Sequence, residues 1–357
     1  MSILTIIGAA LLLGIVVAIH ETGHFLAAKL SGIRVNEFSI GMGPRLFGGT
    51  RNGTKYTLRL LPVGGYVALE GENSPESTAK GEAFGEAAAG IPFAEAPLLK
   101  RCLTVLAGPM MNFVLGFLLL VVMVSVEGTV ITSRTVSRIE PGAMCGLTGL
   151  AEDDTIVAVN GRHCFTASDI LYGLARAENG KADITVRREG KTVQLSDVSF
   201  DTETDENGTQ HLLIGFRVYG LPKTVPNVLR EALMNEVFYG RVIFASLADL
   251  AVHRESLNDL SGPVGIVTAI GDAAAAGWEE LLDLMILITV NLGVFNLLPF
   301  PALDGGKLVF LAAEGITGHS VPESIQGYFN LAGFLLLFAL MAFATRQDII
   351  RLLTPAG

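Results

Sequence analysis

Residues 20–24 read His20-Glu21-Thr22-Gly23-His24, an H-E-x-x-H pattern. On a helix, imidazoles four positions apart project from one face, so their nitrogens can grip a single cation. Glu21 stands beside them as a carboxylate able to take a proton. The set suits zinc-assisted hydrolysis. Neutral imidazoles bind zinc at about 2.0–2.1 Å, the metal lowers the pKa of its water toward about 7, and the carboxylate receives the proton, so attack on an amide carbonyl becomes feasible near neutral pH. A five-residue pattern can arise by chance, but the setting weighs against that. Roughly the first 28 residues are otherwise apolar, and an ionisable side chain at mid-span costs roughly 2.5–3.5 kcal/mol in lipid.

A catalytic zinc wants a third protein ligand. The extended pattern with a third histidine fails at Ala27 and Leu30. Glu37 is the nearest carboxylate, but it falls in a strand-like alternation and reads as a solvated strand residue. The better candidate is Asp304, in Asn296-Leu297-Leu298-Pro299-Phe300-Pro301-Ala302-Leu303-Asp304-Gly305-Gly306 at the end of an apolar run. Two prolines break the helix there and two glycines permit tight approach, an arrangement tolerated at membrane depth only where it lines a site. The competing reading is an aspartate capping the next helix.

These residues need elements to position them, and the composition favours membrane spans. Of 357 residues 50% are hydrophobic and only 17% charged, against about 25% charged in an ordinary soluble domain. The net charge of −10 comes with no Lys/Arg cluster, so nucleic acid is not an expected partner. The first apolar run has no basic residue before Lys29 and reads as a retained span. Leu103 to Val126 is a second span of roughly 24 residues, enough for about 30 Å of hydrocarbon. Leu284–Leu298 and Tyr328–Ala344 are shorter runs, one of them expected to enter as an interrupted helix. Lys29, Arg34, Lys100 and Arg101 place the first loop in the cytoplasm, which leaves residues 127 to 280 outside; Arg346 and Arg351 argue mildly the other way at the carboxyl terminus.

The first loop alternates as strands over Val35–Ile40, Lys55–Leu61 and Gly65–Leu69. Glu72–Glu95 reads as a linker with a short helix. Residues 130 to 222 read as an α+β domain with strands Thr155–Val159, Ile184–Arg187, Val193–Leu195 and Leu212–Phe216 around a helix, Ser168–Ala177. Asn207-Gly208 marks a hairpin tip. Asn235–His253 suits a helix on the membrane surface or a soluble packing helix.

The H-E-T-G-H motif, Ala107-Gly108-Pro109-Met110-Met111-Asn112, Ser261-Gly262-Pro263-Val264-Gly265-Ile266 and the Asn296–Gly306 stretch, in this order, resemble the site-2 protease family of bacterial intramembrane zinc metalloproteases, of the regulator-of-sigma-factor type with a single PDZ domain. The resemblance covers nearly the whole chain. It implies a membrane α-helical fold: about four transmembrane helices, a membrane-associated β-loop and one extracytoplasmic PDZ-like α+β domain. The implied divisions are 1–30, 31–102, 103–126, 127–225, 226–280 and 281–350. It implies His20, His24 and Asp304 as Zn2+ ligands, Glu21 as catalytic base, and Asn296 as a substrate-holding residue. Gly64, Gly65 and Tyr66 would lie near a strand edge that pairs with an extended substrate. Asn112 would lie beside the active-site helix, where an interhelical hydrogen bond explains it equally well.

The same resemblance implies a multi-pass protein of the bacterial inner membrane. Its substrates would be transmembrane proteins or peptides, anti-sigma factors or remnant signal peptides, first trimmed by an upstream site-1 protease. Ile139–Ala143 and Gly149–Gly161 carry the PDZ likeness, with Asp153 where the family usually has glycine and Met144-Cys145 in place of a small Ser/Ala pattern. Cys145 and Cys164 are expected as buried free thiols, and His163, His211, His253 and His319 as ordinary surface histidines. Two rival readings are a non-catalytic membrane scaffold whose PDZ-like domain binds extended tails, and a soluble metalloprotease tethered by its first segment.

Overall fold

The computed structural model describes residues 3–72, 89–177, 179–204, 210–252 and 261–353. The chain opens with helix α1 (Ile3–Ser31), strands β1 (Val35–Arg51) and β2 (Thr54–Leu69), and helix α2 (Leu98–Val126). There follow β3 (Ile131–Ile139), α3 (Met144–Leu147), β4 (Thr155–Val159), β5 (Arg162–His163), α4 (Ala167–Ala175), β6 (Lys181–Arg188), β7 (Lys191–Ser199), β8 (Asp201–Thr204), β9 (Gln210–Leu213) and β10 (Phe216–Leu221). Helices α5 (Val225–Ala251), α6 (Pro263–Ala276), α7 (Trp278–Leu297), α8 (Asp304–Thr317) and α9 (Glu323–Leu353) complete it. Residues 1–116 with 243–357 form one compact unit and residues 117–242 a second.

Among the described residues four helices are long and apolar enough to cross a membrane: Thr5–Ser31, Leu98–Val126, Trp278–Leu297 and Glu323–Leu353. At 1.5 Å per residue a 20-residue helix spans about 30 Å, so each suffices. Leu11, Ile15, Leu103, Val114, Leu335 and Phe338 are exposed on three of these helices. Apolar surface of that extent suits lipid rather than water. The expectation of about four apolar helices beside sheet-bearing regions is met; α2 starts ahead of its apolar run at Leu98, α7 ahead of its own at Trp278, and α9 exceeds its run at both ends.

In the first unit β1 and β2 pair as a long antiparallel hairpin with an unusual register. Glu37 to Ile40 pair on one side with Ala68 to Gly65 and on the other with Lys55 to Leu58, so the start of β1 is the middle of three strand segments. The hairpin base packs against the end of α1 through Ala28, Ile33, Val35, Val67 and Leu69. Of the linker from Glu72 to Glu95, residues 73–88 lie outside the described residues; its end carries a one-turn 3-10 helix, Phe93–Glu95. At the amino end of α6, Asp348 of α9 accepts from the backbone amides of Gly262 (3.2 Å) and Gly265 (2.7 Å). A carboxylate there satisfies donors that the helix itself leaves free.

In the second unit the strands order as β10-β3-β4-β6-β7, with β5 on β4, around a core of Val136, Ile156, Val159, Ile184, Val186 and Val198. Helix α4 begins at a capping box in which Thr166 and Asp169 satisfy each other's backbone amides. One sequence expectation needs correction here. Leu212–Phe216 is not one strand: β9 ends at Leu213 and β10 starts at Phe216, with Gly215 between them at φ +66°. The hairpin of β8 and β9 is present, but the Asn207-Gly208 tip lies outside the described residues. Asp153 adopts φ +68°, the conformation glycine takes most easily, and Tyr219 donates to its Oδ1 at 2.8 Å. Cys145 and Cys164 are buried and unbridged, and burial pushes the Cys164 thiol up to about 11. His163 and His319 are exposed; the side chains of His211 and His253 are not described.

Candidate metal centre

The H-E-x-x-H motif sits on the last three turns of α1, and Asp304 is the first residue of α8, 280 positions further along the sequence. Their side chains meet. His20 Nε2 is 3.1 Å and His24 Nε2 3.2 Å from Asp304 Oδ2, and the two Nε2 atoms are 3.1 Å apart. Zinc ligands at about 2.0–2.1 Å in a tetrahedral array lie roughly 3.3 Å from one another. The near-equilateral triangle therefore fits one ion and leaves a fourth direction open. Two lone-pair nitrogens and a carboxylate oxygen are also the donor types zinc takes.

Local sequence explains how these atoms are held. Helix α7 ends at Leu297, and the Pro299/Pro301 stretch removes two backbone donors before α8 starts. The turn is tight: a β-carbon on Gly305 would sit 2.0 Å from the Leu298 carbonyl oxygen, and one on Gly306 2.4 Å from that of Phe300. Asn330 of α9 steadies it by accepting from the Ala302 amide at 3.3 Å. No side-chain capping bond starts α8. Asp304 points instead at the histidines, which answers the helix-cap alternative.

Helix α2 supplies the other wall. The His24 Nδ1 proton goes to the Thr104 carbonyl at 2.8 Å, which leaves Nε2 its lone pair for a metal. Gly108 lies against the same ring, since a β-carbon there would be 2.2 Å from His24 Nε2. Asn112 meets His20 Nδ1 at 3.1 Å. Thr104, Gly108 and Asn112 recur at four-residue intervals and thus share one helix face. The sequence reading gave Thr104 and Gly108 no role; the Ala107–Asn112 motif was the available signal.

A cavity of about 280 Å³ opens beside the triangle, lined among others by Glu21, Gly65, Tyr66, Asn296, Asp304 and Lys307. Glu21, Asn296, Gly65 and Tyr66 are thus brought together with the histidines; Gly64 does not line the cavity. Lys307, one turn after Asp304, donates to Glu72 at 2.7 Å. The edge segment Gly65–Leu69 passes close to Glu21, for a β-carbon on Gly65 would stand 3.3 Å from Glu21 Cγ.

Glu37 lies away from the triangle, and it is not solvated. It is buried, accepts from Thr57 Oγ1 at 2.7 Å and from Arg59 Nη2 at 3.0 Å, and shares Arg59 with the Tyr66 hydroxyl, which accepts at 2.6 Å. Burial pushes the Glu37 carboxyl upward, but these donors outweigh it and hold the group below its ordinary value. Burial, together with the neighbouring Glu37 carboxylate, pushes the Tyr66 phenol up to about 12.

The sequence model of peptidase family M50 matches residues 8–340. A Clostridium acetobutylicum protein whose name assigns it provisionally to the zinc metalloproteases is 32% identical over 351 residues, covering 98% of both chains. A similarly named Brucella suis protein is 33% identical over 359 residues, covering 97% of this chain and 95% of its own. The zinc metalloprotease RasP of Geobacillus kaustophilus is 28% identical over 413 residues and covers 97% of both. With its motifs converging among apolar helices, the chain belongs to peptidase family M50, the site-2 type of membrane zinc metalloprotease.

Proposed function

We propose that His20, His24 and Asp304 hold the zinc ion and that Glu21 is the general base of an intramembrane endopeptidase. The observation that carries this reading is the triangle of ligand atoms 3.1–3.2 Å apart, built from two motifs remote in sequence. The ion, when bound, acidifies a water and polarises the scissile carbonyl. Glu21 takes the proton of the attacking water and delivers it to the departing amide nitrogen, so the peptide bond breaks with the proton conserved. The apolar walls of α1, α2 and α7 limit bulk water, which strengthens each polar contact inside.

A helical substrate buries its amides in its own hydrogen bonds and must be extended before attack. The edge segment Gly65–Leu69 beside Glu21 supports strand addition as the means, with backbone bonds from Gly65 and Tyr66 and with Gly64 allowing the turn into it. The Tyr66 hydroxyl is committed to Arg59, so its contribution to substrate is main-chain. Asn296 lines the same cavity and is suited to hold the substrate chain there. The substrates in this reading are single-span membrane proteins, anti-sigma factors or remnant signal peptides already shortened by an upstream protease. The β1–β2 hairpin rests on the bilayer from the cytoplasmic side of the inner membrane. Residues 127–225 are an extracytoplasmic PDZ-like domain that serves as a size filter or binds peptide in its groove, and 226–280 a linker with an amphipathic helix. The chain divides functionally into 1–30, 31–102, 103–126, 127–225, 226–280 and 281–350.

The test is cleavage of a labelled transmembrane peptide by the full chain in detergent. Wild type cleaves, Glu21→Gln does not, and both retain zinc. Equal cleavage by the two would overturn the assigned base. Zinc retained without cleavage in either would favour the membrane scaffold.

A further inference from the structure

We infer that Asn112 is a positioning residue for the metal centre: its side-chain oxygen accepts the Nδ1 proton of His20 and so turns the Nε2 lone pair toward the ion. The inference rests on zinc ligation by His20. A neutral imidazole carries one N–H and one lone pair. Ligation through Nε2 therefore places the proton on Nδ1, which needs an acceptor. His24 meets that need with the Thr104 carbonyl. The partner of His20 Nδ1 is the Asn112 carboxamide at 3.1 Å.

Asn112 is fully buried, and its Oδ1 has no hydrogen-bond partner where the nitrogen end of the amide faces His20. Two donors would then confront each other across 3.1 Å while a buried acceptor stays unmet, a double cost. A half-turn about the terminal torsion exchanges the two ends of the amide without moving the backbone. It sets Oδ1 against the Nδ1 proton, which ends the donor–donor clash and gives the acceptor its partner, and it moves the Nδ2 donors to the position that Oδ1 held. The backbone is fixed independently: Thr289 of α7 donates to the Asn112 carbonyl at 3.3 Å. One face of α2 thus orients both imidazoles, by a main-chain acceptor for His24 and a side-chain acceptor for His20.

The experiment measures zinc affinity of the full chain in detergent by chelator competition. Asn112→Leu keeps comparable bulk and removes the acceptor; it weakens zinc binding about 10–100-fold. Asn112→Asp keeps only acceptors and restores binding to within a few-fold of wild type. In cobalt-loaded wild type, two slowly exchanging imidazole N–H resonances are expected in the paramagnetically shifted proton spectrum, and Asn112→Leu loses one. Zinc binding by Asn112→Leu equal to wild type would overturn the inference, as would a rapidly exchanging second N–H in wild type. That second readout stands even if the aspartate variant misfolds. Wild type that takes up no metal would instead overturn the zinc-site reading beneath it.

Discussion

Gly108 on α2 faces the His24 imidazole so closely that a single added methyl group would lie 2.2 Å from Nε2. The ring has nowhere to retreat. Its Nδ1 is tied to the Thr104 carbonyl at 2.8 Å and its Nε2 lies 3.2 Å from Asp304, so moving away from Gly108 surrenders one bond or the other. Gly108→Ala is expected to lower zinc content to a small fraction of wild type and to cut peptide cleavage by at least about 100-fold, since misplacing a reacting group by about 1 Å costs that much. Elemental analysis of the purified variant checks the first point. Full zinc occupancy in Gly108→Ala would show that the helices separate without cost to the site.

Loss of either distant motif should empty the same ion. His20→Ala and Asp304→Ala are each expected to bring bound zinc to background, because two remaining ligands hold the ion far more weakly than three. Measured metal content of both variants decides it. Stoichiometric zinc in Asp304→Ala would mean that the histidine pair finds its third ligand elsewhere.

The proposed ligands His20, His24 and Asp304 and the proposed base Glu21 stand out in the sequence because each breaks the rule of its surroundings: His20, Glu21 and His24 interrupt an apolar run, and Asp304 follows two prolines. Thr104 was not legible, for a backbone carbonyl has no side-chain signature. Glu37 was misjudged for a topological reason. Alternation reveals which residues share a face of a strand, but not that Glu37 to Ile40 are flanked on both sides by segments of β2. The same limit hid the break at Gly215, where one apolar run serves two strands.

The Glu37 network predicts acid sensitivity of the hairpin. Thr57 and Arg59 hold the folded-state pKa of Glu37 below its unfolded value, so its contribution is present above the ordinary carboxylate range and is lost as pH falls through the folded value. Amide hydrogen exchange over residues 35–69 is expected to quicken below about pH 4, once corrected for intrinsic rates. In Glu37→Gln the protection should be lower at pH 7 and change little with acid. An identical acid response in the variant would assign the effect to another group.

Arg101 and Glu314 tie α2 to α8, two of the helices that frame the proposed site. Arg101 near the start of α2 donates through Nη1 to Glu314 Oε2 at 3.0 Å and through Nη2 to Oε1, a two-bond fork. Both side chains are largely shielded from water, and Glu314 lies on α8, the helix that begins with Asp304. Removing one partner strands a charge in a poorly solvated place, which costs on the order of 3 kcal/mol, more than an exposed pair would ever return. Arg101→Ala is therefore expected to lower the thermal midpoint in detergent and to weaken zinc binding by letting α8 drift. Arg101→Lys should fall between, because an ammonium cannot make two parallel bonds to a carboxylate. Arg101→Ala combined with Glu314→Ala should be less harmful than the sum of the single changes, since no unpaired charge is left. Strict additivity in that cycle would mean the two residues act separately, and α8 would then owe its position to the Pro301 turn and Asn330 instead.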